Sequence, residues 1–125
     1  MRYLLDVNLF LAAIWSKLDL HAQANAWLAD KQVALCPIAE LGFVRISSHR
    51  RAFGYAMPDV RHGLQAFAAG MKADWIADDL PVLSSAPRTS DQVTDHYRAD
   101  LAAKHGLKLA TLDAQLKHPA VELIS

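Results

Sequence analysis

Four carboxylates stand where apolar segments of this chain stop or where amphipathic ones begin. Asp6 cuts off the run YLL, and Asp113 closes LATLD. Glu40 comes just after the short apolar segment VALC, and Asp95 opens the stretch VTDHYRADLAAKHG. Acids brought within a few ångströms of one another do not all stay ionised without a counter-charge. The counter-charge that suits oxygen ligands is a hard divalent cation, Mg²⁺ or Mn²⁺, which keeps bound waters and an open face for a phosphate. Such a centre polarises a phosphoryl oxygen and activates water for in-line attack. Each acid also has a plain structural role open to it. Asp is a favoured helix N-cap, and acids in a first helical turn complement the helix dipole. Spacing alone therefore supports a metal site on an α/β sheet and no more.

For the four acids to meet, the elements that carry them must share one rim. YLLD reads as a short buried strand and NLFLAAIWS as a helix directly after it. HAQANAWLADK continues as a helix with Ala22, Ala26, Trp27 and Leu28 on its apolar stripe. VALC is a strand stopped by Pro37, and IAELGFVRISS a helix that tolerates Gly42. MPDVRHGLQAFAAGM starts with a proline suited to a first turn. ADWIAD is a short strand followed by the loop-like LPVLSSAPRTSD. The stripe Val93, Tyr97, Leu101 marks a helix closed by Gly106, then LKLATLD and VELIS read as the last strands. Short apolar strands alternating with helices predict a three-layer α/β/α sandwich with a mainly parallel sheet. In such a sheet, functional groups gather outside the carboxyl ends of the strands.

Bulk composition narrows the classes. The 125 residues read as a single domain, 1–125, with 53% hydrophobic and 21% charged residues, which is globular rather than disordered. Thirteen basic and thirteen acidic side chains cancel, so attraction to nucleic acid has to be local. The lone Cys36 excludes an internal disulfide and reads as a small buried hydrophobe. The chain has no membrane-spanning run and no signal-peptide pattern, so a soluble cytoplasmic protein is expected.

The segments LLDVNLFLA, CPIAELGFVRI, VTDHYRADLA and LATLD, in that order, resemble the successive motifs of PIN domains. The likeness is greatest to VapC-type toxins of bacterial type II toxin–antitoxin pairs, and it covers nearly the whole chain. It implies an endoribonuclease that depends on Mg²⁺, with Mn²⁺ as a substitute, a homodimer, and inhibition by a cognate antitoxin. It further implies that Asp6, Glu40, Asp95 and Asp113 bind the metal and carry the catalysis. Asn8 would orient Asp6, and Thr94 and Thr111 would supply supporting hydroxyls. The third motif departs from the pattern: where many relatives are apolar, this chain has Arg98 and then Asp100. Asp100, five positions after Asp95, lies about 140° around a helix and points away from it. Asp78 and Asp79 sit near a strand end but read better as a solvated turn.

RNA needs positive charge near an acidic centre. RISSHRR offers Arg45, Arg50 and Arg51, whose planar forks suit phosphate, in a segment that reads equally as a solvated loop. Tyr55 is the aromatic closest to it for stacking. The six histidines show no metal-binding spacing and are expected on the surface. Antitoxin docking is expected on the helices after the first and second strands. Trp15 and Trp27 are candidate groove walls there, although Trp27 reads better as core. Two rivals remain. A non-catalytic PIN-fold domain that binds RNA or regulates would lose motif acids, yet all four positions are filled. A phosphatase on a related sheet would need a second Asp where Asn8 stands, or a phosphate-binding lysine at a strand end.

Overall fold

A computed structural model describes residues 1–84 and 86–124. Five strands alternate with five helices. Strand β1 (Arg2–Leu5) leads into α1 (Val7–Ile14) and α2 (His21–Leu28). Strand β2 (Gln32–Leu35) is followed by α3 (Pro37–Ser48) and α4 (Met57–Met71). Strand β3 is only Asp74–Trp75, and two single-turn 3₁₀ helices, Val82–Ser84 and Ser90–Gln92, precede α5 (Val93–Lys104). Strands β4 (Lys108–Thr111) and β5 (Val121–Leu123) complete the sheet.

The sheet runs β3-β2-β1-β4-β5, and every neighbouring pair is parallel. Because successive side chains of a strand point to opposite faces, each strand feeds two cores. Leu5, Val33, Leu35 and Ala110 join Phe10 and Phe43 on the face covered by α1 to α4. Leu4, Ala34 and Leu109 join Tyr97, Leu101 and Ala102 on the face covered by α5. This is the expected α/β/α sandwich, and its central strands are largely apolar because both faces are buried.

Cys36 is fully buried between β2 and α3, and its thiol is pushed up to about 12, mainly by that burial. Gly106 takes φ 70° one residue past the end region of α5, as a C′ glycine does.

Helix α2 differs from expectation. Ala24 and Leu28 form its buried stripe, while Ala22 and Ala26 are exposed. The register is set by polar contacts to α1, whose last carbonyls lack helical partners. His21 Nδ1 donates to Ala12 O at 2.8 Å, and Asn25 Nδ2 donates to Ala13 O at 3.0 Å. Histidine placement differs as well. His21, His96, His105 and His118 are half-buried rather than on the surface, and His118 Nε2 pairs with Asp100 at 2.7 Å.

Candidate active site

Strands β1 and β4 are neighbours, and the chain leaves β1 for β2 on the other side. The gap between the carboxyl ends of β1 and β4 is therefore the switch point at which open α/β sheets form their sites. Asp6 stands in it, only 4% exposed. It caps α1, its Oδ1 accepting from the Val7 amide at 2.8 Å. Its Oδ2 accepts from the Thr111 hydroxyl at 2.7 Å. That hydroxyl oxygen in turn accepts from the Asp113 amide at 3.0 Å and from Asn8 Nδ2 at 3.3 Å. Asn8 Oδ1 accepts from the Leu112 amide at 3.2 Å. The two strand ends are thus tied together through one threonine.

Arg98 brings the third element in. Residues three apart on a helix share a face, so Arg98 and Asp95 of α5 look the same way. Arg98 Nη2 donates to Asp95 Oδ1 at 2.6 Å and to Asp6 Oδ1 at 2.5 Å. Burial raises the pKa of the Asp95 carboxyl, and the charge of Asp6 adds to the rise. Arg98 opposes this, while Asp113 pushes the same way as Asp6. Asp113 is half-buried and accepts the Gln115 amide at 2.9 Å. With Asp95 it lines a cleft of about 400 Å³ whose walls include Arg88, His96 and Lys117. Glu40, in the first turn of α3, is engaged elsewhere: its Oε1 accepts from Trp75 Nε1 at 3.0 Å.

Among the described residues, no three His, Cys, Asp or Glu side chains close around a common point. Two do close around a cation, and that cation is the guanidinium of Arg98. Hard carboxylate oxygens gathered about a positive charge are the donor set of a hard dication. In chemistry the oxygens of Asp6 and Asp95 suit Mg²⁺, with Arg98 Nη2 standing between them, while Asp113 is not brought to the same point.

No protein-family model matches the chain. The chain is 34% identical to ribonuclease VapC38 of Mycobacterium tuberculosis, over 89% of its own length and 84% of that protein's. It is 33% identical to ribonuclease VapC39 of the same organism, over 96% and 94% of the two lengths. The chain belongs to the VapC ribonuclease family. A solved structure of VapBC2 from Rickettsia felis, bound to a DNA fragment from their promoter, shares the fold. Its TM-score is 0.64 at 14% identity, covering 98% of this chain and 97% of that one.

Within this VapC fold, the basic segment lies at the end of α3 away from Glu40. Arg50 and Arg51 are exposed beyond the end of α3, and Glu40 to Ser48 spans about 12 Å of helix. The turn that carries them closes on itself and on the end of α3. It is tied back, with Gly54 N donating to His49 O and Tyr55 N to Ser47 O, both at 2.9 Å. Arg45 is exposed on α3 and, with Thr94 and Arg98, borders an apolar groove. Thr94 is exposed there, whereas Thr111 is fully buried beneath the acids. The ring of Tyr55 packs on Trp15 and Phe53, so its faces are already covered. Trp15 lies against Phe43 and donates to Ser47 Oγ at 2.8 Å, which makes it core rather than groove wall. Helix α1 is buried nearly all round, so its surplus of large apolar residues is absorbed by α3, α4 and the sheet. Asp78 accepts the Ile38 amide at the start of α3, and Asp79 pairs with His105, so both lie outside the acid centre.

Four positions escaped the sequence reading. Arg98 had a legible signal, since its spacing of three from Asp95 places both on one helical face. Arg88, Lys117 and Trp75 had none, because loops and a strand edge bring them to the rim.

Proposed function

We propose that the chain is a Mg²⁺-dependent endoribonuclease, the toxin half of a toxin–antitoxin pair. The observation that carries this reading is the meeting of Asp6 and Asp95 on a single positive nitrogen at the sheet's switch point. Its relatives' names, ribonucleases VapC38 and VapC39, supply the substrate class. Asp6, Asp95 and Asp113 would hold the ion, and Glu40 would join them as a fourth ligand on leaving Trp75. A dication held there would supply Lewis acidity to a phosphoryl oxygen and to an attacking water. Thr111 and Asn8 fix Asp6 and the backbone at Asp113, which keeps the carboxylates in one geometry.

Arg88 and Lys117 on the cleft wall meet backbone phosphates. Trp75, 61% exposed at the sheet edge, offers a ring on which a single-stranded base stacks. An apolar groove lined by Leu11, Leu18, Leu20, Phe53 and Leu112 adjoins Asn8 and takes an amphipathic antitoxin helix. The toxin acts as a homodimer. Among the described residues, no helix is long and apolar enough to cross a membrane. We place the reaction in the cytoplasm, where RNA is the substrate.

The test is cleavage of a mixed RNA pool by antitoxin-free protein, beside Asp6→Ala and Asp113→Ala prepared identically. Wild-type cleavage that EDTA stops and both variants lack supports the reading. Folded, Mg²⁺-bound protein that binds RNA without cutting any of it would instead favour a non-catalytic PIN-fold domain.

A further inference from the structure

Arg98 breaks the apolar pattern of its motif and lies 5% exposed, with the acids and not with the core. A buried guanidinium usually satisfies a carboxylate with two parallel N–H bonds. Here one nitrogen, Nη2, serves both Asp6 and Asp95, while Nε is buried with no acceptor. Leaving a buried donor unpaired is costly, so this placement is not chosen by the arginine's own hydrogen bonding. A buried carboxylate facing a half-buried one, in turn, calls for a positive charge between them. Arg98 supplies that charge from within the chain.

The same geometry makes the guanidinium a competitor. Asp6 Oδ1 and Asp95 Oδ1 are the oxygens that converge, and Nη2 already lies within 2.6 Å of each. A dication binding the same two oxygens would stand against a full positive charge at contact distance. The guanidinium has an outlet. Arg98 also borders the open groove lined by Thr94, Ile38, Leu41 and Met57, of about 760 Å³. Swinging into it releases both oxygens and brings Nε toward solvent.

We propose that Arg98 is a positioning residue that holds Asp6 and Asp95 together in the metal-free protein and must be displaced for a dication to bind them. This rests on the reading of Asp6 and Asp95 as metal ligands. The centre is then stable without metal and takes it weakly, so occupancy follows the available dication concentration.

The test titrates Mn²⁺ calorimetrically into metal-free wild type and Arg98→Met, with thermal melting of both in EDTA. Arg98→Met is expected to bind Mn²⁺ at least tenfold more tightly, to melt lower in EDTA, and to gain more from added Mn²⁺. Equal or weaker Mn²⁺ binding by a folded Arg98→Met overturns the role of Arg98 and leaves the metal site standing. Absence of Mn²⁺ binding in both proteins overturns the metal site and this inference together. Should Arg98→Met not fold, the wild type decides by itself. Its Arg98 guanidinium protons, observed by ¹⁵N-edited NMR, are expected to exchange slowly in EDTA and to be lost or shifted on saturation with Mg²⁺. An unchanged signal in Mg²⁺-saturated protein overturns the proposal.

Discussion

Thr111→Val tests whether the acid centre is held by a hydrogen-bond hub or by packing. Valine matches threonine in shape and fills the same fully buried space, so no cavity opens. It removes the donor to Asp6 Oδ2 and the acceptor for the Asp113 amide and Asn8 Nδ2. A hydrogen bond to a charged group contributes about 1.5–3 kcal/mol, and a stranded buried donor costs about 1 kcal/mol or more. The expected loss is therefore about 3 kcal/mol. Thr111→Ser keeps the hydroxyl and loses one buried methyl, which costs about 1 kcal/mol. Urea denaturation in EDTA separates the two. With a slope near 1.5 kcal/mol/M, the valine midpoint falls by about 2 M and the serine midpoint by about 0.7 M. Unchanged slopes are required for that comparison. A valine variant as stable as wild type, or more stable than the serine variant, would refute the hub and make Thr111 an ordinary core residue.

Other perturbations have signs fixed by the structure. The folded-state pKa of Asp95 lies above its unfolded value, so the fold favours the neutral carboxyl. That contribution is complete below the unfolded value of about 4 and is lost as pH rises through the folded value. Asp95→Asn, which cannot ionise, should melt above wild type at pH 7 in EDTA, and the difference should close as the pH is lowered to about 4. Two of the helical glycines, Gly42 and Gly70, should respond oppositely to alanine. A Cβ at Gly70 meets nothing within 4 Å, so Gly70→Ala should stabilise α4 by about 1 kcal/mol. At Gly42 it would come within 2.9 Å of Val7 Cγ2, on a β-branched side chain that cannot easily turn aside. Gly42→Ala should lower the melting temperature despite its better helix propensity, because α3 must move off α1.

The layout of this protein was readable in its residues because local physics decides it. Apolar runs of four residues between helical stripes permit little besides strands buried on both faces. Pro37, Pro58 and Gly106 punctuate the helices where their backbone preferences dictate. The placing of Asp6 and Asp113 past strand ends, and of Glu40 and Asp95 in first helical turns, follows from the same punctuation. Tertiary packing decided what those acids face. Glu40 turned to Trp75 because β3 pairs with β2, a contact between residues 35 positions apart. Asp6 and Asp95, 89 positions apart in the sequence, meet only because α5 packs over β4 beside the end of β1, and Arg98 fills the space between them. The basic turn at Arg50 and Arg51 is fixed to the end of α3 by the backbone bond from Tyr55 N to Ser47 O, and the Trp15 ring was drawn inward by Phe43 and Ser47. Strand and helix identity depend on neighbours within a few positions. The partner of a buried charge depends on which distant element brings a counter-charge, and that is set by the packing of the whole chain.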